Sequence, residues 1–180
     1  MVKKYWKKLV GLGIVVIAVA AVIIIKTTDK NGMEPENMVL EQNNKEADFS
    51  LYSTVAIDYA ELTSFGLPVI VDYGADACIP CQQMAPVLKK ANEDNVGKAF
   101  VKFINVWEHP EAMGEVPIGM IPTQIIFDRK GKPFQPSSRL MEELEFKYIY
   151  DEETGEIIFT KHVGAITQEQ MDLILEELEA

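Results

Sequence analysis

The longest apolar stretch comes first: Leu9 to Ile25, seventeen residues without a charge. As a helix it spans roughly 26 Å, slightly less than a hydrocarbon core. Tyr5 and Trp6 before it and Lys26 after it extend that reach by interfacial anchoring and snorkelling. The pattern predicts a transmembrane helix over 9–25. Residues 26–50 are mostly polar and acidic, broken by Asn31-Gly32, Pro35 and Asn43-Asn44, and predict a flexible linker. As coil, its 24 residues from Thr27 to Ser50 span about 27 Å r.m.s..

From Leu51 onward the pattern changes to short apolar runs at the spacing of a compact domain, 51–180. Asp58 to Phe65 predicts a helix stopped by Gly66 and Pro68. Val69 to Tyr73 predicts a buried strand, and Ile79 to Val96 a long helix kinked at Pro86. Ala99 to Val106 and Thr123 to Asp128 predict two more strands. Phe146 to Tyr150 and Glu156 to Lys161 flank Asp151 to Gly155, a hairpin signal. Thr167 to Leu178 predicts a closing amphipathic helix with Thr167 as its N-cap. Strand–helix–strand followed by a hairpin predicts a mixed α/β sheet covered by helices, three layers in all.

Charge sharpens the division. The first 26 residues carry five lysines and no acids, leaving 12 basic against all 28 acidic groups for the remainder. The lysine cluster at 3, 4, 7 and 8 places residues 1–8 in the cytoplasm and the chain beyond the span outside. A cleaved signal peptide is the competing reading, with Ala18-Val19-Ala20 as its cleavage triplet. The apolar run continues through Ala21 to Ile25, which favours an uncleaved single-pass anchor in the cell membrane. The acidic remainder is unsuited to nucleic acid or an anionic membrane surface.

Both cysteines of the chain sit in Cys78-Ile79-Pro80-Cys81, where a strand hands over to a helix N-terminus. A bridge between them closes a very short loop, and loop-closure entropy makes it a weak structural staple. A working redox pair explains it better. Unpaired N–H groups and the positive dipole end stabilise a thiolate there. Zinc would need four ligands, and no second pair of this spacing exists. No metal and no cofactor beyond the redox-active disulfide Cys78–Cys81 is expected.

The segment from Val71 to Pro86 resembles the active-site segment of the thioredoxin family. Ile121-Pro122-Thr123 resembles that family's cis-proline loop, and His162-Val163-Gly164-Ala165 its last strand. The likeness covers roughly Leu51 to Ala180. The chain departs from the family at Gly74 and Ala77, where tryptophan is usual, and in having Ile79-Pro80 between the cysteines. An insertion around Pro133 to Glu145 lengthens the connection between the final two strands.

The resemblance implies a thioredoxin-like fold and a role for each matched residue. Cys78 is the attacking thiol and Cys81 the resolving one. Asp72, an acid inside an apolar run, takes the proton of Cys81, and Lys102 is its buried partner. Pro122 is cis and exposes the backbone of Ile121 to an extended substrate, with Met120 on the rim and Gly164 permitting close backbone approach. Trp107 and His109 read as packing and loop residues.

The function expected is a membrane-tethered, extracytoplasmic thiol–disulfide oxidoreductase acting mainly as a reductase. Its partners would be protein thiols and disulfides, with electrons from a membrane thiol transporter. A disulfide-introducing oxidase and a redox-silent binding module are the alternatives.

Overall fold

The structure, a computed structural model, describes residues 47–179. The expected anchor and nearly all of the expected linker lie outside the described residues. Among the described residues no helix is long and apolar enough to cross a membrane.

A six-stranded mixed sheet forms the centre, in the order β1-β3-β2-β4-β6-β5. Its strands are β1 (Tyr52–Ser53), β2 (Val69–Gly74), β3 (Phe100–Asn105), β4 (Thr123–Phe127), β5 (Phe146–Tyr150) and β6 (Ile157–Val163). β1, β3 and β2 run parallel; β4, β6 and β5 alternate antiparallel. The helices are α1 (Tyr59–Ser64), α2 (Ile79–Asp94), α3 (Ser138–Glu143) and α4 (Gln168–Glu179). This is the mixed, helix-flanked α/β sheet that the pattern predicts.

Strand alternation splits the interior into two cores. On β2, Val69, Val71 and Tyr73 point to one face, joining Phe100, Ile104, Ile125 and Phe127 under α1. Ile70 points to the other face, with Val101, Phe103 and Ile126, against Met84 and Leu88 of α2 and Met171 and Ile174 of α4. The helix ends are capped as their side chains dictate. Asp58 Oδ1 accepts from Glu61 N at the start of α1. Thr167 and Gln170 exchange backbone-to-side-chain bonds at the start of α4, a reciprocal capping box. Pro86 sits within α2 without breaking it.

Two boundaries differ from the pattern. The packed domain reaches back at least to Ala47, before the expected Leu51. The Phe49 ring stacks on Phe100 at 4.7 Å, and Asn92 Nδ2 donates to the Phe49 carbonyl. One aromatic anchor in a polar segment holds these residues on the sheet. The insertion at Pro133–Glu145 lies between β4 and β5, not between the final two strands, β5 and β6. It carries α3, and Phe134, Leu140 and Leu144 bury their side chains in the α2/α4 core.

Candidate active site

The strand-to-helix junction does what its residues require. Cys78 is the N-cap of α2, in extended conformation, and its sulfur lies 3.4 Å from the Cys81 N–H that it caps. Pro80 occupies the first turn, where its missing N–H costs no helical bond. Cys78 and Cys81 are joined by a disulfide, their Cα atoms 5.2 Å apart. Both are buried, but Asp76, Ala77, Ile79 and Pro80 around them are exposed. Gln82 Nε2 donates to the Asp76 carbonyl at 2.6 Å and ties the approaching loop to the helix.

The loop before β4 closes over the pair. The Ile121–Pro122 bond is cis. The Ile121 carbonyl lies 3.9 Å from Cys78 Sγ, and its side chain packs on Ala75, Cys78 and Cys81. Met120 is 65% exposed and Ile79 68%, and together they make the expected apolar rim. Trp107, expected to pack, is 62% exposed. The Gly164 N–H donates to the Pro122 carbonyl at 2.9 Å. Gly164 has φ near +127°, and a Cβ there would meet only His162 Nε2, at an ordinary 3.6 Å. Backbone conformation, not close approach, therefore requires glycine at this position.

Asp72 is fully buried behind the disulfide. Its Oδ1 accepts from Gln124 Nε2 at 2.6 Å, while Oδ2 has no hydrogen-bond partner. Burial pushes the carboxyl up to about 7, against the opposing pull of the Gln124 bond. Oδ2 and Cys81 Sγ lie 3.2 and 3.3 Å from the point where a Cβ on Gly74 would sit. The bare oxygen and the Cys81 sulfur thus border the same point beside Gly74, within reach of proton transfer across one water.

The expected Asp72–Lys102 pair is not made. In the β2–β3 register Asp72 sits opposite Phe103, and Lys102 opposite Val71. A shift of one residue reverses the face. Lys102, though only 3% exposed, therefore lies on the other side of the sheet. There Nζ donates to the Ser50 carbonyl at 2.7 Å and to Asp48 Oδ2 at 3.1 Å. The neighbour that sequence reasoning missed is Gln124, a polar residue inside the apolar Thr123–Phe127 run.

Gly74 has a packing reason. A Cβ there would stand 2.8 Å from Phe103 Cε2. The bulk usual at this site thus comes from β3, and a cleft of about 260 Å³ beside it reaches Cys81 between Tyr52, Ala85 and Leu88. Gly74→Ala is expected to cost about 1–3 kcal/mol in urea unfolding, because the Phe103 ring must move. In a Phe103→Leu background the same glycine substitution should cost much less; an equal cost in both backgrounds would contradict the clash.

The fold and this junction define a CxxC redox protein of α/β architecture. A family model described as Thioredoxin matches residues 58–146. The chain is 40% identical over 83 residues to a thioredoxin of Alicyclobacillus acidocaldarius subsp. acidocaldarius, covering 43% of this chain and 78% of that one. It is 37% identical over 82 residues to a Staphylococcus aureus thioredoxin, covering 42% and 78%. A solved Malassezia sympodialis thioredoxin is similar with a TM-score of 0.47 and 21% identity, covering 73% of this chain and 92% of that one. The chain belongs to the thioredoxin family, and it is a thiol–disulfide oxidoreductase whose substrates are protein thiols and disulfides.

Proposed function

We propose that the chain is a membrane-tethered, extracytoplasmic reductase of protein disulfides. The observation that carries the direction is the dipeptide Ile79-Pro80 at the first turn of α2: neither residue is a cation that would strongly stabilise the Cys78 thiolate. A couple without that stabilisation lies toward the reducing end. The uncharged run Leu9–Ile25, with lysines before it, supports the tether and the outward orientation. Electrons would reach the oxidised pair from a thiol transporter in the same membrane.

In the cycle, the Cys78 thiolate attacks a substrate disulfide, and one substrate sulfur leaves with the electron pair. Asp72 Oδ2 takes the proton of Cys81. The resulting thiolate attacks Cys78 Sγ, the Cys78–substrate bond breaks, and the second substrate sulfur leaves. Two electrons have passed from the dithiol to the substrate, and Cys78–Cys81 is a disulfide. Ile121 and Pro122 present backbone to the substrate's extended chain, and Met120 and Ile79 cover its side chains.

Sealed right-side-out vesicles carrying the full chain, equilibrated with glutathione buffers added outside, test both parts of this reading. The pair should respond to the external buffer with a midpoint near −270 mV, about the thioredoxin value. A midpoint near −120 mV would mark an oxidase. A pair blind to the external buffer would refute the outward orientation.

A further inference from the structure

One row of side chains crosses the sheet beneath the disulfide. Register places Phe103, Asp72, Gln124, His162 and Phe146 side by side on the α2/α4 face of β3, β2, β4, β6 and β5. Gln124, fully buried, is the centre of that row. Three acceptors surround its Nε2: Asp72 Oδ1 at 2.6 Å, the Gly164 carbonyl at 3.2 Å and Met84 Sδ at 3.5 Å. Only an NH2 group satisfies that set, so the amide is fixed with its donors toward Asp72 and Gly164. Gln124 Oε1 and Asp72 Oδ2 are the two buried side-chain oxygens without partners among the described residues.

A buried carboxyl held by neither oxygen is free to turn about its last torsion, and a proton acceptor must face its donor. Here one oxygen is tied down and the other is left bare beside Gly74 and Cys81. Gly164 also donates its N–H to the Pro122 carbonyl. The same amide thus links the proline loop to the carboxyl through one residue. We propose that Gln124 is a positioning residue for the exchange reaction: its amide anchors Asp72 Oδ1 and presents Oδ2 to Cys81. The inference rests on the reading of Asp72 as the proton acceptor.

Few other ionisable groups share this environment. From α2, Cys81 borders the same point beside Gly74 as Asp72 Oδ2, and α4 contributes the apolar Met171 and Ile174 to this face. On β6, His162 donates Nδ1–H to the Glu145 carbonyl, and burial holds its imidazole below the ordinary value. Tyr73 and Lys102 lie on the opposite face.

The test tracks the Asp72 side-chain carbon by NMR against pH in the oxidised full chain, beside the pH profile of dithiol turnover. The carbon reads Asp72 alone, so His162 protonation is seen separately. In Gln124→Leu, loss of a hydrogen bond to the ionised form should raise the carboxyl midpoint by about one unit, a tenfold change in its ionisation constant. The profile of turnover should shift the same way. In the unsubstituted chain, the Gln124 side-chain N–H resonances should titrate with the Asp72 midpoint. This second reading stands even if Gln124→Leu fails to fold. An Asp72 midpoint unchanged by Gln124→Leu, or Gln124 resonances indifferent to it, would overturn the proposal. Asp72→Asn separates the two claims. If it leaves the turnover profile unchanged, Asp72 is not the proton acceptor, and the carboxyl titration still decides whether Gln124 holds it. If Asp72→Asn alters the profile and Gln124→Leu does not, only the role given to Gln124 falls.

Discussion

Cys78→Ser brings disulfide reduction down to the uncatalysed background, a loss on the order of 10³-fold or more in an insulin-reduction assay. The hydroxyl still fits the N-cap of α2, so unfolding and far-UV spectra should barely change. Cys81→Ala should lose turnover to a similar extent for a different reason: Cys78 still attacks, but nothing resolves the adduct. Loss of activity with an intact fold would assign the chemistry to sulfur, not to packing around Ala75 and Ile121. Activity retained in Cys78→Ser would leave the chain as a binding module.

Asp72→Asn is expected to move stability and rate in opposite directions. In the folded, oxidised protein the carboxyl is pushed up to about 7 by burial, whereas in the unfolded chain it titrates near the ordinary value of about 3.9. Between those two values the folded state binds more protons than the unfolded one. Stability therefore falls as pH rises from about 4 to about 7 and levels off above. Asparagine removes that penalty, which at pH 8 amounts to about 4 kcal/mol. At pH 4 the two proteins should unfold at nearly the same urea concentration. Turnover near pH 7 should drop by roughly 10²-fold, and the deficit should narrow above pH 9 as Cys81 ionises unaided. A variant with neither the pH-dependent gain nor the pH-dependent loss would show that Asp72 is not the buried acid of this site.

Much of this site is legible from one-dimensional signals. Two cysteines three apart, after a buried strand and before a helix, locate the chemistry. Ile121-Pro122-Thr123 marks the loop that the fold sets within 3.9 Å of Cys78 Sγ. Asp72 stands out because an acid interrupts Val69 to Tyr73. What is not legible depends on register. Asp72 and Lys102 both interrupt apolar strands, but pairing of Val71 with Lys102 sends their side chains to opposite faces. Nothing local to either strand states that register. Gln124 is hidden for the same reason: it meets Asp72 only through the antiparallel pairing of β2 with β4.

Short elements escape because they lack a period. β1 has two residues, and its place beside β3 rests on Tyr52 pairing with Phe103. α3 has six residues inside a segment that reads as an insertion, yet Ser137 caps it by accepting from Leu140 N. Ser137 N also donates to Glu177 Oε2 of α4. Tertiary packing on the α2/α4 core, not intrinsic helix strength, holds a helix so short.

The central claim is that Cys78 makes the covalent bond to substrate and Cys81 breaks it. Reacting reduced Cys81→Ala with a disulfide-bonded peptide, then mapping the adduct by mass spectrometry without reductant, tests it most directly. The account predicts a lasting one-to-one adduct on Cys78, and prompt release of the peptide when Cys81 is restored. An adduct that instead forms on Cys81 in Cys78→Ser at the same rate, with none on Cys78 in Cys81→Ala, would contradict it.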